Sequence, residues 1–473
     1  MNSRFHIIAV IVCTLILVTC GCKKQIEAEP QSGDSQQQQP QPVNIELMEN
    51  PDMTLIKTSM VVTNDWIYNG KPEITFRINN KNAGNVKLEA KAVIVTDMNQ
   101  PVTTIADSVI VEAQTTKEFT ITATENLEPG LYRAICSIND KRVRFFNFGI
   151  DPFDIVSAPD QQADFDAFWQ EAKDQLAAID MQPNLIELPN RSSASRKVYL
   201  VELNSIPDGL TGDPVKIRGY YCEPQDGQRH PVIMHFYGYD TQNTTARVEC
   251  PNGNNSTHAE FFLSHRGQYI NNRPESSREP DGLGDLLNTY GDWFAYNLGN
   301  KDAYYYREAY MDVVQAVRFM ATRETSDMTK LCAEGSSQGG ALTYACAALS
   351  DYPCVAIAAN VSFMCDFSDA MKMQAGLAYW EMKDNQGSMS DEQVLTAMSY
   401  FDIKNLTPRI TCPVLASTGL QDDVCPSRTN IVAFNNLATP ADKKEMVFGP
   451  EMGHSYPSNW WNKMNELFST YIY

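Results

Sequence analysis

Gly335-Ser336-Ser337-Gln338-Gly339-Gly340 lies between a short apolar run, Met328–Ala333, and a helix-like segment, Ala341–Leu349. The run predicts a buried strand and the segment after it a helix. A Gly-x-Ser-x-Gly at such a junction predicts a sharp turn that lifts the serine hydroxyl clear of the backbone. Glycines flank the serine because a Cβ there would collide with the neighbouring strand and helix. A serine held this way is a candidate nucleophile, and a nucleophile needs a histidine, an acid and an oxyanion hole from elsewhere in the chain. Three fixed positions arise easily by accident, so those partners decide the reading.

The elbow is the device of α/β-hydrolases, in which the triad runs Ser, acid, His along the chain. Of six histidines, five (His6, His230, His235, His258 and His265) precede Ser337, and only His454 follows it. It sits in Pro450-Glu451-Met452-Gly453-His454-Ser455, just after the predicted last strand Lys444–Phe448. The acid belongs in the loop after the preceding strand, Pro413–Thr418; that loop reads Gly419-Leu420-Gln421-Asp422-Asp423. Either aspartate can orient the imidazole, and the residues alone do not choose. One oxyanion donor is the backbone N–H of Gln338, the residue after the nucleophile. The other is expected from the loop His235-Phe236-Tyr237-Gly238-Tyr239-Asp240.

The chain around this site divides into four parts. Residues 1–22 carry Arg4, an apolar core Ile7–Val18 and the ending Thr19-Cys20-Gly21-Cys22, which predicts a lipoprotein signal peptide. Gly21 before Cys22 suits a lipobox better than Thr19 before Cys20, so Cys22 is the expected lipid acceptor and Cys20 the alternative. Residues 23–44 are rich in Gln, Pro, Ser and Gly and predict a disordered tether. Residues 45–150 contain seven β-rich runs separated by turn signals such as Asn69-Gly70 and Pro129-Gly130, which predicts an immunoglobulin-like β-sandwich. The sandwich reads as a spacer or interface domain; carbohydrate binding is the alternative, with Trp66, Tyr68 and Tyr132 as the candidate aromatic platform. In residues 151–473 strands and helices alternate, which predicts a doubly wound α/β sheet of the α/β-hydrolase kind.

A net charge of −20 without any basic run argues against nucleic acid as a partner. Cys13, Cys20 and Cys22 lie in the leader; the other nine of twelve cysteines are scattered through apolar runs and read as buried thiols. No CxxC or HExxH occurs, so no metal site is expected, and no GxGxxG or P-loop supports a nucleotide. No cofactor is expected.

With these residues in view, residues 155–473 resemble the acetyl xylan esterases and cephalosporin-C deacetylases of carbohydrate esterase family seven. The resemblance rests on Asp164-Phe165-x-x-Phe168-Trp169, Gly238-Tyr239, Arg266-Gly267-Gln268, Asp302-x-Tyr304-Tyr305-Tyr306-Arg307 and the elbow itself. Ser399-Tyr400-Phe401-Asp402, Pro413-Val414-Leu415, Gly419-Leu420-x-Asp422 and Gly453-His454 continue it. It implies an esterase that removes acetyl groups from acetylated sugars. It implies Ser337 as nucleophile, Asp422 as orienting acid, His454 as base and the backbone of Tyr239 as the second oxyanion donor. Asp423 is then a solvated neighbour, and Tyr304–Arg307 supply aromatic packing and a structural ion pair.

Three departures touch the pocket: Tyr237 stands where the family has His, Asn360-Val361-Ser362-Phe363-Met364 replaces an Asp-x-Pro pattern, and the stretch from Arg266 to Asn300 drifts after Arg-Gly-Gln. The sandwich and the lipid anchor are additions to the family's single-domain plan. Single-domain members form homo-oligomers, an assembly that an extra domain would block or alter. The expectation is therefore an exported hydrolase, lipid-anchored to the bacterial cell envelope at the outer membrane. Its substrate would be acetylated xylan, xylo-oligosaccharides or a small acetyl ester. A broad short-chain acyl esterase is one alternative; a glycan-binding surface lipoprotein with an inactive hydrolase domain is the other.

Overall fold

The computed structural model describes residues 46–239, 248–251, 257–268, 270 and 292–473. The predicted leader, with Cys20 and Cys22, and the tether lie outside the described residues, as does Asp240.

Eight strands come first: β1 (Ile56–Val61), β2 (Ile67–Tyr68), β3 (Glu73–Asn80), β4 (Val86–Thr96), β5 (Pro101–Val111), β6 (Thr116–Thr122), β7 (Gly130–Ile138) and β8 (Lys141–Ile150). They form two sheets, β1-β3-β6 and β2-β8-β7-β4-β5. Every second residue of β4, from Val86 to Ile94, is buried, as strand geometry requires of a sheet with one face on a core. Ile74, Phe76 and Ile78 from one sheet meet Leu88, Ala92, Phe146 and Phe148 from the other in one apolar cluster. Trp66 stacks on Phe146 at 4.1 Å inside it. The three candidates for a carbohydrate platform are therefore core: Trp66, Tyr68 and Tyr132 are 1%, 5% and 6% exposed. Tyr68 of β2 and Tyr132 of β7 lie on the inner faces of their strands, and Trp66, in the turn before β2, is buried with them.

The rest of the chain continues through α1 (Phe165–Ala177), β9 (Asn184–Glu187), β10 (Arg196–Ser205), β11 (Val215–Pro224), β12 (His230–Phe236) and β13 (Ala259–Ser264). Then follow α2 (Tyr305–Ala321), β14 (Ser326–Ser336), α3 (Gln338–Leu349) and β15 (Cys354–Asn360). The last part holds α4 (Phe367–Met373), α5 (Leu377–Asn385), α6 (Asp391–Met398), α7 (Ile403–Leu406), β16 (Val414–Gly419), α8 (Ser427–Asn435), β17 (Lys444–Gly449) and α9 (Trp460–Ile472).

These strands make one sheet in the order β17-β16-β15-β14-β12-β13-β11-β10-β9. Neighbours from β17 to β13 run parallel, and β13-β11-β10-β9 antiparallel. Both faces are covered, which is why the central strands read as continuous apolar runs. Val232, Met234, Ile357 and Ala359 face the cluster that holds α2 and α3. Their neighbours Ile233, Ala356 and Ala358 face Trp460, Met464 and Phe468 of α9.

Two local expectations are corrected. The residue pattern predicts a helix over Tyr310–Ala321; α2 begins five residues earlier, so Tyr305 and Tyr306 are helical core residues. Arg307 forms no ion pair among the described residues; its guanidinium lies 5.4 Å from the Phe168 ring and donates to Gln175 Oε1 at 2.8 Å. The buried ion pairs here belong to Arg266, which meets Glu308 and Asp312. All nine cysteines of the described residues are free thiols, eight of them buried.

The sandwich sits against the loop after β16. Leu420 is 1% exposed and packs into the sandwich core. Arg428 of α8 pairs with Asp97 at 2.5 Å, and Arg144 of β8 with Glu451 at 2.7 Å.

Candidate active site

Ser337 occupies the single residue between β14 and α3, with φ 59° and ψ −121°. A positive φ at a residue with a side chain is strained and persists only where its surroundings over-determine it. Here the Ser337 N–H donates to the Asn360 carbonyl at 2.9 Å, and the Ser337 carbonyl accepts from Phe363 N–H at 2.9 Å. The glycines around it are required by close approach. A Cβ on Gly335 would lie 2.3 Å from the Gly339 carbonyl oxygen, and one on Gly339 2.2 Å from that of Phe236.

The structure brings the three predicted side chains into one hydrogen-bonded line. His454 Nε2 is 2.9 Å from Ser337 Oγ, and His454 Nδ1 is 2.8 Å from Asp422 Oδ2. Asp422 leaves its other oxygen to the backbone: Oδ1 accepts from Val424 and Cys425 N–H, both at 2.9 Å. This turn directs the carboxylate inward, and its side chain is fully buried. Asp423, one residue on, is exposed. The geometry thus separates two aspartates that the sequence left equivalent. With Nδ1–H donating to Asp422, Nε2 presents its lone pair to the serine hydroxyl.

Gln338 opens α3, so its backbone N–H has no carbonyl partner within the helix and points with the positive end of the helix dipole. Its side chain is clamped on both sides. Tyr306 Oη donates to Gln338 Oε1 at 2.8 Å, and Gln338 Nε2 donates to His265 Nε2 at 2.7 Å. Burial holds the His265 imidazole at a pKa of about 4, so it is neutral and able to accept. Arg266 beside it is buried and salt-bridged to Asp312 at 2.7 Å, and Gln268 Nε2 donates to the Gly238 carbonyl at 3.2 Å. The segment from His265 to Gln268 therefore ties the elbow helix, through His265, to the predicted oxyanion loop, through Gln268, while Arg266 anchors it to α2. Sequence reasoning missed His265 as part of this link.

Tyr239 lines the same cavity as Ser337 and His454, about 630 Å³ in volume. Its hydroxyl donates to Asp292 Oδ1 at 3.2 Å, and its ring packs edge-on against Trp293 at 4.8 Å. Beneath this loop His235 lies between Glu334 at 2.7 Å and Glu260 at 3.1 Å. Burial opposes its charge, but the two carboxylates outweigh burial and raise its pKa to about 9.

At the cavity mouth Tyr456 and Trp461 stack at 5.2 Å with their rings 28° apart. Both are large and exposed, at 43% and 49%, and neither was singled out from the sequence. Their spacing of five residues across a loop–helix junction carries no periodic signal. Asn360, one of the departures from the family pattern, also has a defined place. Its Nδ2 donates to Ser336 Oγ at 2.7 Å and to the Ser455 carbonyl at 3.2 Å, so it joins the nucleophile turn to the histidine loop.

Comparison with known proteins adds three findings. The family model for acetyl xylan esterase (AXE1) matches residues 154–470. Acetyl esterase Axe7A of Xylanibacter ruminicola is 24% identical over 327 residues, spanning 69% of this chain and 71% of that protein. Among solved structures, acetyl xylan esterase from Paenibacillus sp. R4 superposes with a TM-score of 0.54 at 26% identity, covering 68% of this chain and 98% of that one. Acetyl xylan esterase 1 from a Thermoanaerobacterium species gives 0.55 at 24% identity, with the same two coverages, and shows the fold.

Proposed function

The chain belongs to the acetyl xylan esterase family and is a carboxylic-ester hydrolase; on that premise we propose that Ser337, His454 and Asp422 remove O-acetyl groups from xylan or xylo-oligosaccharides through an acetyl-enzyme. The observation that carries the assignment is the unbroken line from Asp422 through His454 to Ser337 Oγ.

Ser337 Oγ attacks the acetyl carbonyl while His454 Nε2 takes its proton. Asp422 keeps the other ring proton on Nδ1 and stabilises the imidazolium that forms. The tetrahedral oxyanion is held by the N–H groups of Gln338 and Tyr239; one such donor is worth roughly 3 kcal/mol in the transition state. His454 then protonates the departing sugar oxygen, which leaves Ser337 acetylated. Water attacks that ester with His454 again as base, and acetate and the free serine result. The alcohol half of the substrate rests against Tyr456 and Trp461, whose flat faces suit the C–H faces of a sugar ring.

The test is hydrolysis of p-nitrophenyl acetate by the full chain and by Ser337→Ala, with p-nitrophenyl butyrate beside it. Activity in the parent alone, and preference for acetate, support the reading. Equal rates on butyrate point to the broad short-chain esterase instead, and acetate release from acetylated xylo-oligosaccharide identifies the natural class.

Residues 45–150, an immunoglobulin-like sandwich in this reading, extend the family's hydrolase domain at 151–473. The leader places Cys22, or failing it Cys20, as the lipid acceptor of an envelope-anchored protein. Labelled palmitate that stays on the protein after Cys22→Ala rejects the first choice. The homo-oligomer of single-domain members is open to the same kind of check, by light scattering of the purified chain.

A further inference from the structure

A second cavity, about 990 Å³, opens between β7–β8 of the sandwich and the loops around Asp422. It adjoins the catalytic pocket. Gly376 lines the one and Leu377 the other, and Leu377 N–H donates to the Val424 carbonyl at 2.8 Å in the wall between them. Its volume is at the upper end of ligand clefts, which run to about 1,000 Å³, and it accommodates several sugar rings.

Two large aromatic side chains line this cleft in the open: Phe145 on β8 is 48% exposed and Trp380 on α5 is 46% exposed. Phe145 is flanked by guanidiniums, Arg142 at 5.0 Å and Arg133 at 5.5 Å from its ring centre. Other arginines of the cleft are neutralised, Arg144 by Glu451 at 2.7 Å and Arg428 by Asp97 at 2.5 Å. Among the described residues neither Arg133 nor Arg142 has a carboxylate within ion-pair distance; Arg133 donates only from Nε, to Asn147 Oδ1 at 3.0 Å. Of the four carboxylates lining the cleft, Asp97 and Glu451 are taken up by these arginines, Asp422 by His454, and Asp423 stands in the acid loop, so the two unmatched guanidiniums make the sandwich wall the cationic side.

We propose that this cleft binds a carboxylate-bearing oligosaccharide, its sugar rings against Phe145 and Trp380 and its carboxylate on Arg142 and Arg133. The inference rests on the esterase reading and deepens it, since it makes the enzyme favour acetylated chains near an acidic branch. A guanidinium offers a planar fork of donors that a carboxylate fills with two parallel bonds. A neutral glycan would satisfy the aromatic rings and leave the arginines unmatched. Nucleic acid supplies anions too, but the overall negative charge repels a polyanion.

Calorimetric titration of the full chain with two unacetylated xylo-oligosaccharides of equal length, one with a glucuronic acid branch and one unbranched, tests this. The branched ligand is expected to bind about tenfold more tightly at low salt. The gap should shrink at about 0.5 M salt, and Arg142→Gln should remove most of it. Should that variant fail to fold by circular dichroism, Arg142→Lys, which keeps the charge and loses the fork, should still narrow the gap. Equal affinity for the two ligands in the parent protein, or a gap that survives the substitution, overturns the proposal. No outcome depends on turnover, so an inactive protein would sink the esterase reading without deciding this one.

Discussion

Asn147 on the sandwich and Gln421 in the acid loop exchange hydrogen bonds: Asn147 N–H donates to Gln421 Oε1 at 2.9 Å, and Gln421 Nε2 donates back to the Asn147 carbonyl at 3.0 Å. The same Nε2 reaches the Pro450 carbonyl at 2.7 Å, in the segment that leads to His454. Asn147 Nδ2 completes the contact by donating to the Leu420 carbonyl at 2.9 Å. One side chain thus joins the sandwich, the loop before Asp422 and the loop before His454.

Gln421→Ala removes three side-chain hydrogen bonds, worth about 1 kcal/mol each. It is expected to lower Tm by several degrees. Loosening of both loops should reduce kcat on p-nitrophenyl acetate about tenfold with little change in KM. Gln421→Glu keeps the acceptor for Asn147 N–H but turns a carboxylate oxygen towards the Asn147 and Pro450 carbonyls, so it should not recover the stability. Parent-like kcat in the alanine variant would show that the sandwich does not support the acid loop.

Asp422→Asn tests the tautomer argument. The replacement amide can still accept from Val424 and Cys425 N–H with its oxygen. Its NH2 then faces His454 Nδ1, which must become the acceptor and leave the proton on Nε2. That nitrogen cannot take the serine proton, so kcat should fall by about four orders of magnitude with Tm nearly unchanged. Retention of a tenth of the activity would assign the acid elsewhere, and Asp423→Asn would be the next measurement.

Gly339→Ala places a methyl 2.2 Å from the Phe236 carbonyl oxygen, a backbone atom in β12 that has no rotamer to escape into. The elbow must open, at roughly 3 kcal/mol or more. A urea midpoint close to the parent's would contradict the close packing of β12, β14 and α3.

His235 predicts a pH-dependent contribution to stability. Its folded pKa of about 9 lies above the ordinary 6.5, so the folded state holds a proton that the unfolded chain has released between these values. The stabilisation, at most about 3 kcal/mol, is complete below pH 6.5 and fades as pH rises to 9. The stability difference between parent and His235→Gln should therefore be largest in mild acid and shrink through that window. A difference independent of pH would mean that the imidazole is neutral between Glu260 and Glu334.

Much of the site was legible because its signals are local or countable. The Gly-x-Ser-x-Gly spacing is a local pattern, although Gly339 answers to the distant Phe236 carbonyl, and a single histidine downstream of Ser337 leaves one candidate base. The choice between Asp422 and Asp423 was not legible from the residues, because it depends on which carboxylate meets the N–H groups two and three residues on. Tyr68 and Tyr132 are core and no carbohydrate platform, which was not legible because alternation along a strand shows that faces differ, not which one is covered. Phe145 shows the converse: beside the buried Phe146, it alone points into the cleft.

By itself the sequence determined the elbow, the order of the triad and the class of each layer, since turn sterics and side-chain periodicity act over a few residues. Only the tertiary structure decided where the sandwich meets the hydrolase. Asn147 and Gln421 lie 274 positions apart, and their contact depends on how two separately patterned surfaces fit. No local rule records such a fit, because neither strand propensity nor loop composition encodes which distant backbone will accept a given hydrogen bond.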